Sequence, residues 1–128
     1  MFAVLRAGGV VSGASPAYGV EEMGYALRTS GARFVMTHPE RLDVAVEACE
    51  AVGFGKERIF LLEGEQEGFV GVQELIEEGE KGEEVDEWRG VKEKGNKNVC
   101  AFLSFSSGTT GLPKAVSSLI STRLRDNR

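Results

Sequence analysis

The sequence predicts an α/β fold built on an incomplete parallel sheet with flanking helices. Across residues 9–62, short apolar runs alternate with segments whose apolar residues recur at helical spacing, which is the pattern of β-α-β units around a parallel sheet. A later run, VCAFLSF at residues 99–105, is nearly continuous in apolar character. Such a run is typical of a central parallel strand that is covered on both faces.

The bulk composition limits the class of protein. At 128 residues, the chain holds one domain at most. Its composition, 41% hydrophobic and 27% charged, is globular, and no apolar run reaches the roughly 18–20 residues of a membrane helix. A formal net charge of −5 disfavours a nucleic-acid partner. Two cysteines outside any metal-binding spacing predict no metal site and favour a reducing, cytoplasmic location.

The first half of the chain predicts three strands and two helices. The strands are GVVSG at 9–13, ARFVMT at 32–37 and RIFLL at 58–62. The first helix, over residues 20–30, has two glutamates in its first turn and Gly31 as its terminator. Its apolar face carries Val20, Met23 and Leu27.

The second helix is predicted to begin at THPE, residues 37–40. This tetrapeptide matches a capping box, in which the Thr37 side chain accepts a hydrogen bond from the amide of Glu40. The only histidine, His38, is explained by this helix start, and no second base accompanies it. Helical spacing places Cys49 on the apolar face, so we interpret it as a core residue rather than a nucleophile.

The segment that follows the third strand is strongly acidic from residue 63 to residue 87. We interpret it as a solvated surface rather than a partner site, because like charges repel one another and stay hydrated. Within it, GVQELIEEGE at residues 71–80 predicts one short helix through Val72, Leu75 and Ile76.

The most distinctive stretch is SFSSGTTGLPKAV, residues 104–116, at the carboxyl end of the predicted 99–105 strand. Open α/β sheets place their ligand sites at that end of the strands. Hydroxyl groups, glycine-permitted turns and one ammonium group together favour an anion site, and a polyphosphate suits them best. The spacing fits neither the P-loop nor the dinucleotide-binding pattern. The composition alone is also compatible with a turn-rich surface loop that binds no ligand.

The same stretch resembles the phosphate-binding motif of the AMP-forming, adenylate-forming enzymes, which include acyl- and aryl-CoA synthetases and 4-coumarate–CoA ligases. Residues 4–37 resemble the segment that precedes this motif in the CoA-ligase branch, with ASPAYG at 14–19 in place of a loop of the NPxY type. The resemblance covers residues 3–116 and is weakest across the acidic segment.

The resemblance implies an ATP-dependent acid–CoA ligase. In that family a carboxylic acid attacks the α-phosphate of ATP, and the resulting acyl-adenylate is captured by CoA. Mg²⁺ is the expected companion of the nucleotide. The resemblance assigns no catalytic residue and no protein metal ligand to this chain. The phosphate-binding residues that it implies are Ser106, Ser107, Gly108, Thr109, Thr110, Gly111 and Lys114.

Beyond Val116 the resemblance ends, which predicts a partial AMP-binding domain at 1–116 and a divergent tail at 117–128. The family's adenine, ribose and acid-substrate sites and its C-terminal domain have no counterpart in this sequence. We therefore expect a fragment of the large N-terminal domain of a ligase, inactive alone, with a cytoplasmic or peroxisomal parent enzyme.

Two alternatives remain at the level of sequence. One is a non-catalytic nucleotide- or phosphate-binding α/β module. The other is a small signalling domain of the receiver type, which needs aspartates at strand ends that the 32–37 and 58–62 strands lack.

Overall fold

A computed structural model describes residues 2–82, 99–106 and 114–119, and these divide between two compact units. The first unit comprises residues 2–13, 99–106 and 114–119, and the second comprises residues 14–82. In chain order, the helices and strands are α1 (Phe2–Arg6), β1 (Val11–Gly13), α2 (Val20–Ser30), β2 (Val35–Thr37), α3 (Leu42–Ala51), β3 (Ile59–Leu61), β4 (Val70–Gly71), α4 (Val72–Lys81), β5 (Cys100–Ser106) and β6 (Lys114–Leu119).

The second unit contains a parallel sheet in the order β2-β3-β4, with α2 and α3 packed on one face. Because side chains alternate along a strand, Val35 and Thr37 face the same side as Ile59 and Leu61, and all four are buried. Against this face lie buried residues of α2 and α3: Leu27, Leu42, Ala45, Ala48 and Cys49. This is the hydrophobic core of the unit.

Helix α2 shows how local sequence sets its ends. The Gly19 amide donates to the Glu22 carboxylate at 2.9 Å, which satisfies one of the free amides at the helix start. At the other end Gly31 has a φ of 62°, the left-handed conformation that favours glycine and ends a helix. The predicted helix and its terminator are confirmed.

Helix α3 starts differently from the prediction. Residues Pro39–Arg41 form a 3₁₀ turn, and its cap is His38, whose ring Nδ1 accepts from the Glu40 amide at 3.3 Å. Thr37 is the last residue of β2, and its side chain is buried. The predicted cap by Thr37 is wrong because strand alternation turns that side chain inward, away from the helix start.

Strand β1 does not join the sheet of the second unit. It pairs in parallel with β5, with Val11 opposite Phe102 and Gly13 opposite Ser104. The β2-α3-β3 unit is confirmed as a parallel crossover, but the segment from β1 through α2 to β2 links two separate sheets. The α/β class with parallel strands therefore holds, while the strands are divided between the two units.

Strand β5 is the middle strand of the first unit, between β1 and β6. Its pairing with β6 is antiparallel, so the prediction of a purely parallel environment is wrong. The prediction of full cover on both faces is also wrong, because Phe102, Leu103 and Phe105 are only half-buried. Val99 and Ala101 are the buried apolar residues of this unit within the described part of the chain.

Helix α4 confirms the helix predicted within the acidic segment. It packs against β4, yet none of its side chains is buried. Among the helices that the structure describes, none has the length and apolar character needed to cross a membrane.

Candidate phosphate-binding site

The candidate site lies where β5 ends and β6 begins. Strands β1 and β5 are parallel, so their carboxyl ends meet at the same edge of the sheet. That edge is where open α/β sheets bind ligands. Residue Ser106 ends β5 at this edge, and Lys114 begins β6 there.

The register brings the two ends of the predicted loop together. Ser106 and Lys114 are cross-strand partners, and directly opposed residues of an antiparallel pair have Cα atoms about 4.5–5.5 Å apart. The backbone therefore leaves and re-enters the sheet at adjacent positions. Ser107, Gly108, Thr109, Thr110 and Gly111 lie outside the described residues, so their role stays a prediction.

The Lys114 side chain is exposed. Strand alternation places it on the same face as Val116 and Ser118, and Val116 is opposite Ser104 on β5. Ser104 and Ser118 are also exposed, so the face that carries the ammonium group carries two accessible hydroxyl groups. Sequence reasoning missed Ser104 and Ser118, because their placement depends on the β5–β6 register.

Strand β6 also bears on the predicted domain limit. It runs to Leu119, so a division after Val116 falls within a strand. The division itself remains a prediction.

The second unit has a polar pair at the carboxyl ends of its strands. His38 follows β2, and its Nε2 lies 2.6 Å from Oε1 of Glu63, which comes after β3. Because Nδ1 accepts from the Glu40 amide, the proton of a neutral ring lies on Nε2 and is donated to Glu63. This hydrogen bond connects the residues that follow β2 and β3, which gives His38 a structural role.

Cys49 is confirmed as a core residue. Its side chain is fully buried, and burial raises the pKa of the Cys49 thiol. The thiol is therefore neutral at physiological pH, which removes its nucleophilic form.

An open cleft of about 450 Å³ in the second unit does not suit a phosphate. Its lining includes Glu65, Glu67, Glu74 and Glu77. Four carboxylates repel a polyanion, so the positive edge at Lys114 is the better candidate. Within residues 2–82, 99–106 and 114–119, no cluster of histidine, cysteine, aspartate or glutamate could hold a metal ion.

Comparison with known proteins defines the family to which this chain belongs. Residues 1–119 match the family model described as AMP-binding enzyme. The chain belongs to the AMP-binding enzyme family, which confirms the resemblance seen in the sequence.

Curated relatives include CoA ligases. The chain is 34% identical over 120 residues to the phenylacetyl-CoA ligase epaB of Aspergillus niger, covering 88% of this chain and 21% of that protein. It is 36% identical over 114 residues to the 4-coumarate–CoA ligase-like 1 of Arabidopsis thaliana, covering 88% of this chain and 19% of that protein. The chain thus spans about a fifth of the length of the curated relatives it matches.

Solved structures support the fold. The anthranilate CoA ligase AuaEII, in complex with anthranoyl-AMP, matches with a TM-score of 0.72 at 24% identity, over 92% of this chain and 21% of that chain. At this identity the match speaks for the fold alone, and it confirms the predicted α/β class.

Proposed function

We propose that this chain supplies the triphosphate-binding loop of an ATP-dependent acid–CoA ligase. In such a reaction a carboxylate oxygen attacks the α-phosphorus of ATP and pyrophosphate leaves. The thiol of CoA then attacks the carbonyl carbon of the acyl-adenylate, and AMP leaves. The proposal draws on family membership and on CoA-ligase relatives at 34% and 36% identity.

The observation that carries the proposal is the cross-strand pairing of Ser106 with Lys114. The two residues that bound the candidate loop are therefore neighbours at one edge of the sheet. The loop residues of the proposed site are Ser106, Ser107, Gly108, Thr109, Thr110 and Gly111, and they would surround the β- and γ-phosphates.

Lys114 would supply the positive charge. The side chain is exposed, and among the described residues it makes no ion pair that would have to be broken before a phosphate binds. A lysine acts on phosphate as a mobile point charge with three donors. It would stabilise the negative charge that develops on departing pyrophosphate, which is electrostatic catalysis.

Mg²⁺ would arrive with the nucleotide. It is a hard cation that binds phosphate oxygens with few protein ligands. In this proposal the phosphates hold the metal, and no residue of this chain is assigned to it. When bound, it neutralises phosphate charge.

ATP binding by the purified 128-residue chain tests the proposal, measured by isothermal titration with and without Mg²⁺. We expect Lys114→Ala to weaken binding by roughly tenfold or more, since a charge-assisted hydrogen bond contributes about 1.5–3 kcal/mol. Lys56→Ala is the matched control, because Lys56 is also exposed and lies in the second unit. Absent binding, or equal weakening by both variants, would contradict the proposal.

A second assay separates binding from catalysis. We propose that the chain alone does not adenylate, because it spans about a fifth of the length of the CoA ligases it matches. Carboxylate-dependent exchange of labelled pyrophosphate into ATP by this chain would overturn that part only. ATP binding without exchange is also expected of the alternative, a non-catalytic module. The ligase segment and the non-catalytic module are distinguished by joining this chain to the rest of a relative and measuring whether pyrophosphate exchange is restored.

A further inference from the structure

The sheet of the first unit carries an exposed patch beside Lys114, at the edge where β5 ends. Gly13 on β1 is opposite Ser104 on β5, and Ser104 is opposite Val116 on β6. Residues opposite one another on neighbouring strands share a face of the sheet, and Lys114 shares it too because it lies two positions before Val116. We call Gly13, Ser104, Val116 and Lys114 the edge patch.

Gly13 leaves space beside the Ser104 side chain. Among the described residues, a Cβ at Gly13 would meet nothing within 4 Å beyond its chain neighbours. The φ angle of Gly13 is not positive, so the backbone does not require glycine here. Neither backbone conformation nor packing accounts for this glycine, and glycine in a strand often marks a site where a ligand approaches closely.

The Ser104 hydroxyl is available to a ligand. The side chain is exposed, and within residues 2–82, 99–106 and 114–119 no hydrogen bond occupies it. A serine hydroxyl donates one hydrogen bond and accepts two. The edge patch therefore offers one free hydroxyl and one ammonium group, with no carboxylate among its four residues.

The spacing between Ser104 and Lys114 suits a single phosphate group. Diagonal neighbours on one face of an antiparallel pair are about 7–8 Å apart, and charge-assisted hydrogen bonds span about 2.5–2.9 Å. Two such bonds, joined through the oxygens of one phosphate group, bridge a gap of this size. Ser118 lies four residues beyond Lys114, about 13 Å along the strand, so it is too far away to contact the same group.

We propose that Ser104 is a further phosphate-binding residue. It donates a hydrogen bond to an oxygen of the phosphate group that Lys114 binds, and Gly13 leaves room for that group. The inference rests on the proposed function, because Lys114 brings the phosphate to this face. The ligand is a chain of phosphates, whether the triphosphate of ATP or a free polyphosphate.

The first test is isothermal titration of the full chain with ATP and with inorganic tripolyphosphate. Ser104→Ala should weaken binding of both ligands by roughly three- to tenfold, the usual effect of losing one hydrogen bond. Ser104→Thr keeps the hydroxyl and should bind like the wild type. Ser117→Ala is the matched control, because Ser117 is also exposed on β6 but is opposite Leu103, on the other face.

The second test fills the space beside Ser104. Gly13→Val should weaken binding of both ligands by roughly threefold or more, because its methyl groups occupy the place of the phosphate. Its free energy of unfolding in urea should stay the same or rise, since valine suits a strand better than glycine. Weaker binding without lower stability excludes misfolding as the cause. Ser12→Val is the matched control, because Ser12 is exposed and opposite Leu103, on the other face.

The outcomes separate this inference from the proposed function. Weaker binding of both ligands in Ser104→Ala and Gly13→Val, with both controls unchanged, supports the inference. Wild-type affinity in either variant, or equal weakening in the controls, overturns it. When Lys114→Ala still weakens ATP binding in that case, the proposed function stands.

The tripolyphosphate titration identifies the part of the nucleotide that Ser104 contacts. A loss confined to ATP overturns the inference, because the hydroxyl then contacts the nucleoside. A wild-type chain that binds ATP but not tripolyphosphate overturns it as well. A wild-type chain that binds neither ligand overturns both this inference and the proposed function.

Discussion

Strands β3 and β5 arise from similar apolar runs but have different surroundings. In β3, Ile59 is 2% exposed and Leu61 is fully buried beneath α2 and α3. In β5, which has seven residues where β3 has three, Phe102, Leu103 and Phe105 remain half-buried. The comparison teaches that an apolar run predicts a strand, whereas the burial of that strand's side chains depends on which other elements pack against it.

The largest expected effect is on the β3 side of this comparison. Leu61→Ala should lower the free energy of unfolding by about 2–5 kcal/mol, because it leaves a cavity in a fully packed site. Leu103→Ala on β5 should cost about half as much or less, since the side chain is already partly hydrated. Urea unfolding followed by circular dichroism measures both. Equal losses would show that β5 is as well covered as β3.

The two cysteines give a chemical measure of the same difference. Cys49 is fully buried beneath β2 and β3, while Cys100 at the start of β5 is half-buried. We expect a thiol reagent to label Cys100 at least about a hundredfold faster than Cys49, because labelling of Cys49 requires unfolding. Mass spectrometry of the single variants Cys49→Ala and Cys100→Ala assigns each rate. Equal rates would contradict the buried core.

The pKa of Cys49 also gives a pH dependence with a definite sign. Burial raises the pKa of this thiol in the folded chain, and in the unfolded chain the thiol ionises near pH 9.0. Above that pH the folded state binds more protons than the unfolded state, so the free energy of unfolding falls as pH rises. Cys49→Ala should remove this part of the alkaline loss. An unchanged alkaline slope in the variant would assign the loss to other groups.

The elements with a strong local pattern were predictable from the sequence. Helices α2 and α4 follow from helical spacing, α2 also from its terminator Gly31, and the assignment of Cys49 to the core is confirmed. The division into two sheets was not predictable, because β1 pairs with β5 and the opposed residues Val11 and Phe102 are 91 positions apart. Local periodicity carries no information about such pairing.

The candidate site shows the same limit. Residue types predicted an anion loop after β5, and that loop stays a prediction. The opposition of Ser106 and Lys114, and the shared face of Ser104, depend on the β5–β6 register. A register is set by packing and by cross-strand pairs, so it could not be inferred from the loop sequence.

The smallest expected effect concerns the boundary between β2 and α3, where pattern and structure disagree. If His38 is the cap, His38→Ala should cost about 0.5–2 kcal/mol, because the Glu40 amide loses its acceptor and Glu63 loses its donor. His38→Asn keeps a short acceptor and should recover part of the loss.

Thr37→Val removes the hydroxyl that the capping-box pattern requires while keeping the side chain's shape. Among the described residues, that hydroxyl donates its one hydrogen bond to the His38 carbonyl, at 3.4 Å, so the variant should change stability less than His38→Ala. The reverse order in urea unfolding would restore Thr37 as the cap and would mean that the strand ends one residue earlier.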